Sequence, residues 1–182
     1  MEKNLTREQQ LQIFLSYLSF LSSSYYMEVS QMIAHQVTIA ATNEPGSLAR
    51  VTSVLNREKI NIRATTISTF GDHGFINLIV DHPKDALRAL QKNGLNAELR
   101  DVLAVLIGDK PGELDRLVQM LKEEGINVEN AYGFVLESFK QAVFVVDVED
   151  IEKTGKLIEK HGFQTIDSEA LSSIEPFHYL KY

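Results

Sequence analysis

The sequence repeats itself at a fixed distance. The segment Pro45–Arg50 (PGSLAR) returns 66 residues later as Pro111–Arg116 (PGELDR), and Ile60–Ile62 (INI) returns at the same distance as Ile126–Val128 (INV). A period of this length is too long for a small solenoid unit and about right for a minimal domain. The sequence therefore predicts two fused copies of one module.

Composition excludes several classes of protein. The chain has 182 residues and no cysteine, which rules out disulfide scaffolds, thiolate nucleophiles and cysteine-ligated metals, and fits a reducing, cytoplasmic compartment. A net charge of −7 argues against a nucleic-acid surface, because phosphate binding needs clustered Lys and Arg. The five histidines show no metal-ligand spacing. We expect no metal, no cofactor and no direct contact with nucleic acid.

The first 36 residues lie outside the repeat. Residues 9–27 carry no charge, and apolar residues recur there at helical spacing, at Leu11, Phe14, Leu15, Leu18 and Leu21. Five serines and three glutamines interrupt this stretch, which disfavours a membrane span. The pattern predicts an amphipathic packing or dimerisation helix in residues 1–36, with an upstream extension or a targeting segment as alternatives.

Each copy shows the same order of predicted elements. In the first copy these are strand Val37–Thr42, a turn at Asn43–Gly46, a helix through Leu48, Val51 and Leu55, strands Ile62–Thr69 and Phe75–Asp81, a helix from Pro83 to Gly94, and strand Leu95–Arg100. In the second copy they are strand Val102–Ile107, a helix through Leu114 and Leu121, strands Val128–Leu136 and Ala142–Val148, helix Asp150–Gly162, and strand Gln164–Ile166.

The order β-α-β-β-α-β is typical of α+β ferredoxin-like modules, whose antiparallel sheet runs 4-1-3-2 with both helices on one face. The predicted modules span residues 37–101 and 102–172, followed by a tail at 173–182. Strand two belongs at the sheet edge, and its threonines fit that place. An exposed edge needs a partner, which we expect to be the other module or a second chain.

The repeated turn also resembles a known family. Asn43-x-Pro45-Gly46, a helix and then Ile60-Asn61-Ile62 are similar to the signature of the ACT domain, and residues 37 to about 172 resemble stand-alone proteins made of two ACT modules. The first 36 residues and Phe177–Tyr182 are not covered. The resemblance implies a non-catalytic sensor that binds a free amino acid and forms a homodimer. It also implies that Asn43 and Asn61 contact the effector's polar groups.

Elementary chemistry favours the same turn. The first turn of a helix presents unpaired N–H groups and a positive dipole end, which suit a carboxylate. An amide can accept from an ammonium and donate to a carboxylate. The candidate ligand-binding residues in the first copy are Asn43, Glu44, Pro45, Gly46, Ser47, Leu48, Asn61 and Ile62. In the second copy they are Asp109, Pro111, Gly112, Glu113, Leu114, Asn127, Tyr132 and Phe134.

The second copy departs from the pattern, because Asp109 replaces the turn asparagine and would repel a carboxylate unless Lys110 or the ligand's ammonium compensates. We therefore favour the first turn. Structural roles stay open as alternatives: Asn61 and Asn127 as backbone partners, and Tyr132 and Phe134 as core or interface aromatics.

Two other functions stay open. One is an interaction module, acting as the regulatory subunit of a biosynthetic enzyme or as the partner of a transcription regulator without a ligand of its own. The other is an acylphosphatase, which shares the sheet order but needs an arginine in the first strand-to-helix loop. Neither 43–46 nor 109–112 contains one, since Arg50 and Arg116 lie a helical turn further on.

Overall fold

The computed structural model describes residues 32–173. The predicted N-terminal helix and the tail beyond Ser173 lie outside the described residues. The strands are β1 (Ala34–Thr42), β2 (Ile62–Phe70), β3 (His73–Val80), β4 (Asn96–Gly108), β5 (Asn130–Glu137), β6 (Gln141–Asp147) and β7 (Gln164–Ile166). The helices are α1 (Ser47–Arg57), α2 (Pro83–Lys92), α3 (Glu113–Glu123), α4 (Ile151–Lys160) and α5 (Ser168–Ser173).

The predicted ferredoxin-like order is confirmed in both modules. The strands follow the order β2-β3-β1-β4-β6-β5, and β7 also pairs with β4. In the first module β1 lies between β3 and β4, and in the second β4 lies between β6 and β7. Strands one and three of each copy are therefore central, and β2 and β5 lie at the two ends of the sheet.

The modules share one strand. Residues 96–102 of β4 pair with β1, and residues 103–108 pair with β6. Sequence reasoning predicted two strands here, with a module boundary between Asp101 and Val102, but β4 runs through that point without a break. The sheet is therefore continuous through β4. Within residues 32–173 the edge strand β2 pairs with no strand of the second module, and a second chain as its partner stays a prediction.

Each module has its own core between its sheet and its helices. Alternate residues of β1, such as Val37 and Ile39, pack against Val51 and Leu55 of α1. The corresponding core of the second module includes Leu103, Val105, Leu117, Leu121 and Ile158. The period of two in the strands and the helical spacing of the leucines produce these faces.

A third core joins the modules. The residues of β4 that alternate with Leu103 and Val105 are Val102 and Ala104, and they pack with Ile79 of the first module and Val143 and Val145 of the second. The short helix α5 is held on the same core by Leu171, which is 2% exposed. The two modules therefore form one packed body.

Polar contacts cross the same interface. The Tyr132 hydroxyl donates to Oε1 of the buried Gln36 at 2.7 Å. Arg100 of the first module pairs with Asp147 at 2.6 Å and with Glu129 at 2.8 Å, both from the second. No helix within residues 32–173 is long and apolar enough to cross a bilayer.

Candidate functional site

The repeated turn places a glycine before each of two helices. Gly46 precedes α1 and Gly112 precedes α3, with φ angles of 101° and 92°, a conformation that favours glycine. Within residues 32–173 no side chain caps either helix, whereas Asp150 caps α4 by accepting from the Lys153 amide at 3.0 Å. The Ser47 and Glu113 amides bond the Glu44 and Lys110 carbonyl oxygens at 3.3 and 3.4 Å, so the amides that follow them in the first turns of α1 and α3 are the ones available to a ligand at the positive end of the helix dipole.

A cleft of about 140 Å³ opens beside the start of α1, and we name it the first cleft. Its walls are the ends of β1 and β2, the start of β3 and the turn before α1. The polar lining residues are Thr42, Asn43, Glu44, Ser47 and Thr69, and the apolar ones include Leu48, Ile67, Phe75 and Ile76. The cleft therefore has a polar mouth at the helix and an apolar wall on the sheet.

Hydrogen bonds organise the polar mouth. The Ser47 hydroxyl donates to the Thr42 carbonyl oxygen at 2.7 Å, and the Thr42 hydroxyl donates to Oε1 of Glu44 at 2.9 Å. Glu44 forms no ion pair with any residue between 32 and 173. Its carboxylate is free to pair with a cationic group of a ligand.

Asn43 ties the turn to the neighbouring hairpin. Its Nδ2 donates to the Gly71 carbonyl oxygen at 3.0 Å, and its backbone N–H donates to the Asp72 carbonyl oxygen at 2.9 Å. These bonds leave Oδ1 of the amide facing no protein donor among the described residues. Asn43 can therefore hold the hairpin and accept from a ligand at once.

The corresponding second cleft lies beside the start of α3 and measures about 340 Å³. It is lined by Ile107, Gly108, Asp109, Lys110, Pro111, Leu114, Phe139 and Ala142. Here Oδ2 of Asp109 accepts from the Phe139 backbone N–H at 2.6 Å, so an aspartate ties this hairpin to its turn.

Charged side chains crowd the start of α3. Glu113 pairs with Arg116 at 3.2 Å and with Lys110 at 3.6 Å. The hydrogen bond from Arg116 and the positive charges nearby lower the pKa of the Glu113 carboxyl below its usual range. Both cations at this cleft therefore share one carboxylate, that of Glu113.

The two asparagines of the repeated INI and INV segments lie away from both clefts. The Asn61 backbone N–H donates to the Asp81 carboxylate at 3.1 Å, at the start of β2. The first cleft adjoins the other end of that strand, eight residues away, which is about 26 Å of extended chain. Ile62 packs against the first core, and Asn127 is exposed before β5. Within one chain, Asn61 and Asn43 do not meet.

Tyr132 and Phe134 point to one face of β5, as predicted, and that face packs into the core between the modules. Burial, with a smaller effect from the Asp147 charge, raises the pKa of the Tyr132 hydroxyl above its usual range. Neither aromatic lines the first or the second cleft. Their position matches the interface role that the sequence left open.

Sequence reasoning missed the far wall of the first cleft. Ile67, Thr69 and Phe75 reach the turn because the β2–β3 hairpin ends beside it, where His73 pairs with Thr42. The predicted sheet order placed strand three beside strand one, and from this neighbour relation the sequence could have predicted that residues of the hairpin lie beside the turn. The same neighbour relation in the second copy places the hairpin between β5 and β6, which carries Phe139, beside the second turn.

The rival chemistries find little support in the described part of the chain. Neither strand-to-helix loop holds the arginine that an acylphosphatase needs; of the two arginines a turn further on, Arg116 pairs with Glu113 and lies 4.0 Å above the Phe163 ring, and Arg50 does not line the first cleft. Within residues 32–173 no group of three His, Asp or Glu side chains could hold a metal ion.

Two fused ferredoxin-like modules, each with an uncapped helix start beside a cleft, define the class of this chain. The family model of the ACT domain pair matches residues 32–175. The chain therefore belongs to the ACT domain family, as the repeated turn predicted, and ACT domains are regulatory modules.

Solved structures agree with this fold. Protein BT0572 from Bacteroides thetaiotaomicron is similar over 79% of this chain and 99% of its own, with 28% identity and a TM-score of 0.73. The ligand-free regulatory subunit of aspartate kinase from Thermus thermophilus shares 19% identity and a TM-score of 0.52, over 74% of this chain and 95% of its own. No functionally curated protein matches the chain in sequence.

Proposed function

We propose that this protein is a non-catalytic regulator that binds a free amino acid in the first cleft. The observation that carries the proposal is the polar mouth of that cleft, where uncapped amides of α1, the Glu44 carboxylate and the Asn43 amide meet. A zwitterion needs one donor set and one acceptor set a few ångströms apart, and this mouth offers both.

Each part of the ligand has a partner. The ligand carboxylate accepts from the first-turn amides of α1. Its ammonium donates to Glu44 and to Oδ1 of Asn43. The ligand side chain lies along Leu48, Ile67 and Phe75, which are 39%, 49% and 46% exposed. The apolar wall favours an amino acid with an apolar side chain. The proposal includes a cytoplasmic location, which the absence of cysteine supports because it fits a reducing compartment.

A second copy of the chain completes the proposed site. The apolar wall of the first cleft stays partly exposed, and Phe70 beside it is 73% exposed. A homodimer that covers this wall brings the second copy's β2 to the cleft, with Asn61 and Ile62 at the start of that strand. Asn127 is the corresponding residue of the second module. In this arrangement Asn61 is a ligand contact only across the dimer.

A thermal-shift screen of the full-length protein against the twenty proteinogenic amino acids tests the proposal. A ligand at 100 times its dissociation constant stabilises the native state by about 2.7 kcal/mol. For a body of this size we expect a rise in Tm of roughly 5–10 °C. The proposed function is wrong if none of the amino acids raises Tm.

Variants locate the site. Glu44→Gln removes the charge that holds the ammonium and keeps the side-chain shape, so we expect roughly 10-fold weaker binding by calorimetry. Glu58→Gln at the other end of α1 is the matched control and keeps the wild-type affinity.

Asn61→Ala tests the proposed contact across the dimer. Weaker binding supports a contact across two copies, and unchanged binding removes Asn61 from the site.

A second candidate function is regulation by protein contact alone. Phe70 and Phe139 favour it, because they are 73% and 91% exposed at the ends of the two hairpins. Under this function the chain forms a fixed-stoichiometry complex with a biosynthetic enzyme or a transcription regulator, and no amino acid changes its Tm. Co-purification of an enzyme or a transcription regulator with the chain at fixed stoichiometry supports this function, whereas a free homodimer whose Tm rises with an amino acid supports the sensor.

A further inference from the structure

The two clefts are copies of one another, yet their charges differ at three matched positions. Asn43, Glu44 and Ser47 of the first cleft correspond to Asp109, Lys110 and Glu113 of the second. This comparison rests on the proposed function, because it asks which cleft can accept the carboxylate of an amino acid. The contacts of Glu113 give the answer.

Glu113 lies folded back over the end of β4. A Cβ added to Gly108 would lie 3.1 Å from its Cγ, so the glycine makes room for the side chain. The Glu113 side chain is only 19% exposed, and its carboxylate lies between Lys110 and Arg116. The second module thus carries an anion of its own at the start of α3.

The cations around Glu113 are occupied. Arg116 pairs with Glu113 on one side and stacks over Phe163 on the other. Lys110 is held by the same carboxylate at 3.6 Å. The free negative charge nearby is Asp109, which accepts from a backbone N–H and pairs with no cation in residues 32–173. The two carboxylates equal the two cations in charge, but Glu113 holds both cations, so a ligand carboxylate entering here has to compete with Glu113 for them.

The first module lacks this arrangement. The neutral Ser47 replaces Glu113, and Thr42 replaces Gly108, so no carboxylate folds back over the strand end. Arg50, which corresponds to Arg116, makes no ion pair with any residue of the described range. Glu44 is the carboxylate of the first cleft, but it lies in the turn before α1, and the first turn of α1 carries no acidic residue, whereas the first turn of α3 carries Glu113 and Asp115.

From this difference we infer that each chain binds one amino acid, in the first cleft, and that Glu113 with Asp109 excludes amino acids from the second. The exclusion acts through the placement of an anion at the helix start, because the three matched positions carry the same total charge in both clefts and the second cleft has the larger volume, about 340 Å³ against about 140 Å³. Glu113 is thus the residue that determines which module is the sensor.

Isothermal titration calorimetry counts the sites. The titrant is the amino acid that gives the largest shift in the thermal screen, and the protein is the full chain. We expect 1 site per chain for the wild type. Ser47→Glu, which gives the first cleft the residue of the second, weakens this binding at least 10-fold. The double variant Asp109→Asn/Glu113→Ser gains a second site, and Glu123→Ser at the far end of α3 keeps one.

The outcomes separate the inference from the function on which it rests. Binding of no amino acid by the wild type overturns the proposed function and the inference together. Two sites in the wild type keep the function and overturn the inference. A double variant that melts as a folded protein and still shows one site also overturns it, because Glu113 and Asp109 then do not exclude the ligand.

Discussion

At the scale of single residues, the change from asparagine to aspartate between the two turns follows from the partner of each side chain. Asn43 must donate, because it bonds the Gly71 carbonyl oxygen. Asp109 needs only to accept, because it bonds the Phe139 N–H. A carboxylate cannot replace the amide in the first turn, since it has no proton to donate. Asp109 therefore holds the second hairpin in place and also places a negative charge in the second cleft, which opposes the binding of an anion.

Asp147 carries a pH prediction of its own. Burial raises the pKa of its carboxyl, and the charge and hydrogen bond of Arg100 only partly oppose this. A carboxyl whose pKa is higher in the folded state contributes stability at low pH, and this contribution is lost as the pH rises past the folded pKa. Asp147→Asn has no carboxyl to ionise, so the variant does not lose this contribution. We therefore expect the unfolding free energy of the variant, relative to that of the wild type, to increase between pH 4 and pH 7.

Urea unfolding at a series of pH values measures this difference. Glu113→Gln serves as a comparison in which the stability changes with pH in the opposite direction. The pKa of the Glu113 carboxyl is lowered in the folded state, so the ionised carboxyl stabilises the fold, and this stabilisation is lost as the pH falls below about 4.5. The Glu113 variant thus loses less stability than the wild type on acidification. Parallel pH profiles for Asp147→Asn and the wild type would contradict the direction assigned to Asp147.

At the scale of elements, the β2–β3 hairpin forms the far wall of the first cleft, and Gly74 fixes how closely its strands approach. A Cβ on Gly74 would overlap the Ser68 carbonyl oxygen, which belongs to the backbone and cannot rotate away. Gly74→Ala therefore forces the strands apart, at a cost of about 1–3 kcal/mol in unfolding free energy. We expect weaker amino-acid binding as well, because Gly74 and Phe75 line the cleft.

Gly71→Ala is the matched control. Nothing lies within 4 Å of its added Cβ, and only the positive φ of 62° opposes the substitution. We expect a cost of about 1 kcal/mol there. Chemical denaturation compares the two variants, and a larger loss for Gly71→Ala than for Gly74→Ala would show that the close strand approach does not limit the hairpin.

Sequence reasoning predicted the elements well where the determining pattern is local. The alternation in Val37–Thr42, the Pro-Gly turns and the leucine spacing each lie within one segment, and they produced the correct order of strands and helices. The continuity of β4 was missed because the charged pair Arg100 and Asp101 separates the alternating segment 95–99 from the apolar run 102–107. In the structure Asp101 stays on the strand and bonds His35 Nδ1 at 2.8 Å, a contact between residues 66 positions apart.

The site was predictable in part for the same reason. The turn residues that line the first cleft follow each other in the chain, from Asn43 to Leu48. Phe134 and Tyr132 lie where non-local packing between the modules places them, and the alternation along β5 could tell only that they share a face.

At the scale of the whole molecule, the shared strand and the common core decide how the chain unfolds. Neither module can lose its sheet without freeing one half of β4, and the core around Val102, Ala104 and Val143 is exposed if they separate. We therefore predict a single cooperative unfolding transition of residues 32–173, although the chain arose as two copies of a module.

Amide hydrogen exchange tests this cooperativity directly. Leu78→Ala in the first core and Leu121→Ala in the second each remove a fully buried side chain. Each costs about 2–5 kcal/mol, or roughly 6–15 °C in Tm. If unfolding is cooperative, either variant speeds the slowest exchange of β3 and β6 by the same factor, because both strands open in one event. Faster exchange in β3 alone for Leu78→Ala would mean that the shared strand does not couple the modules.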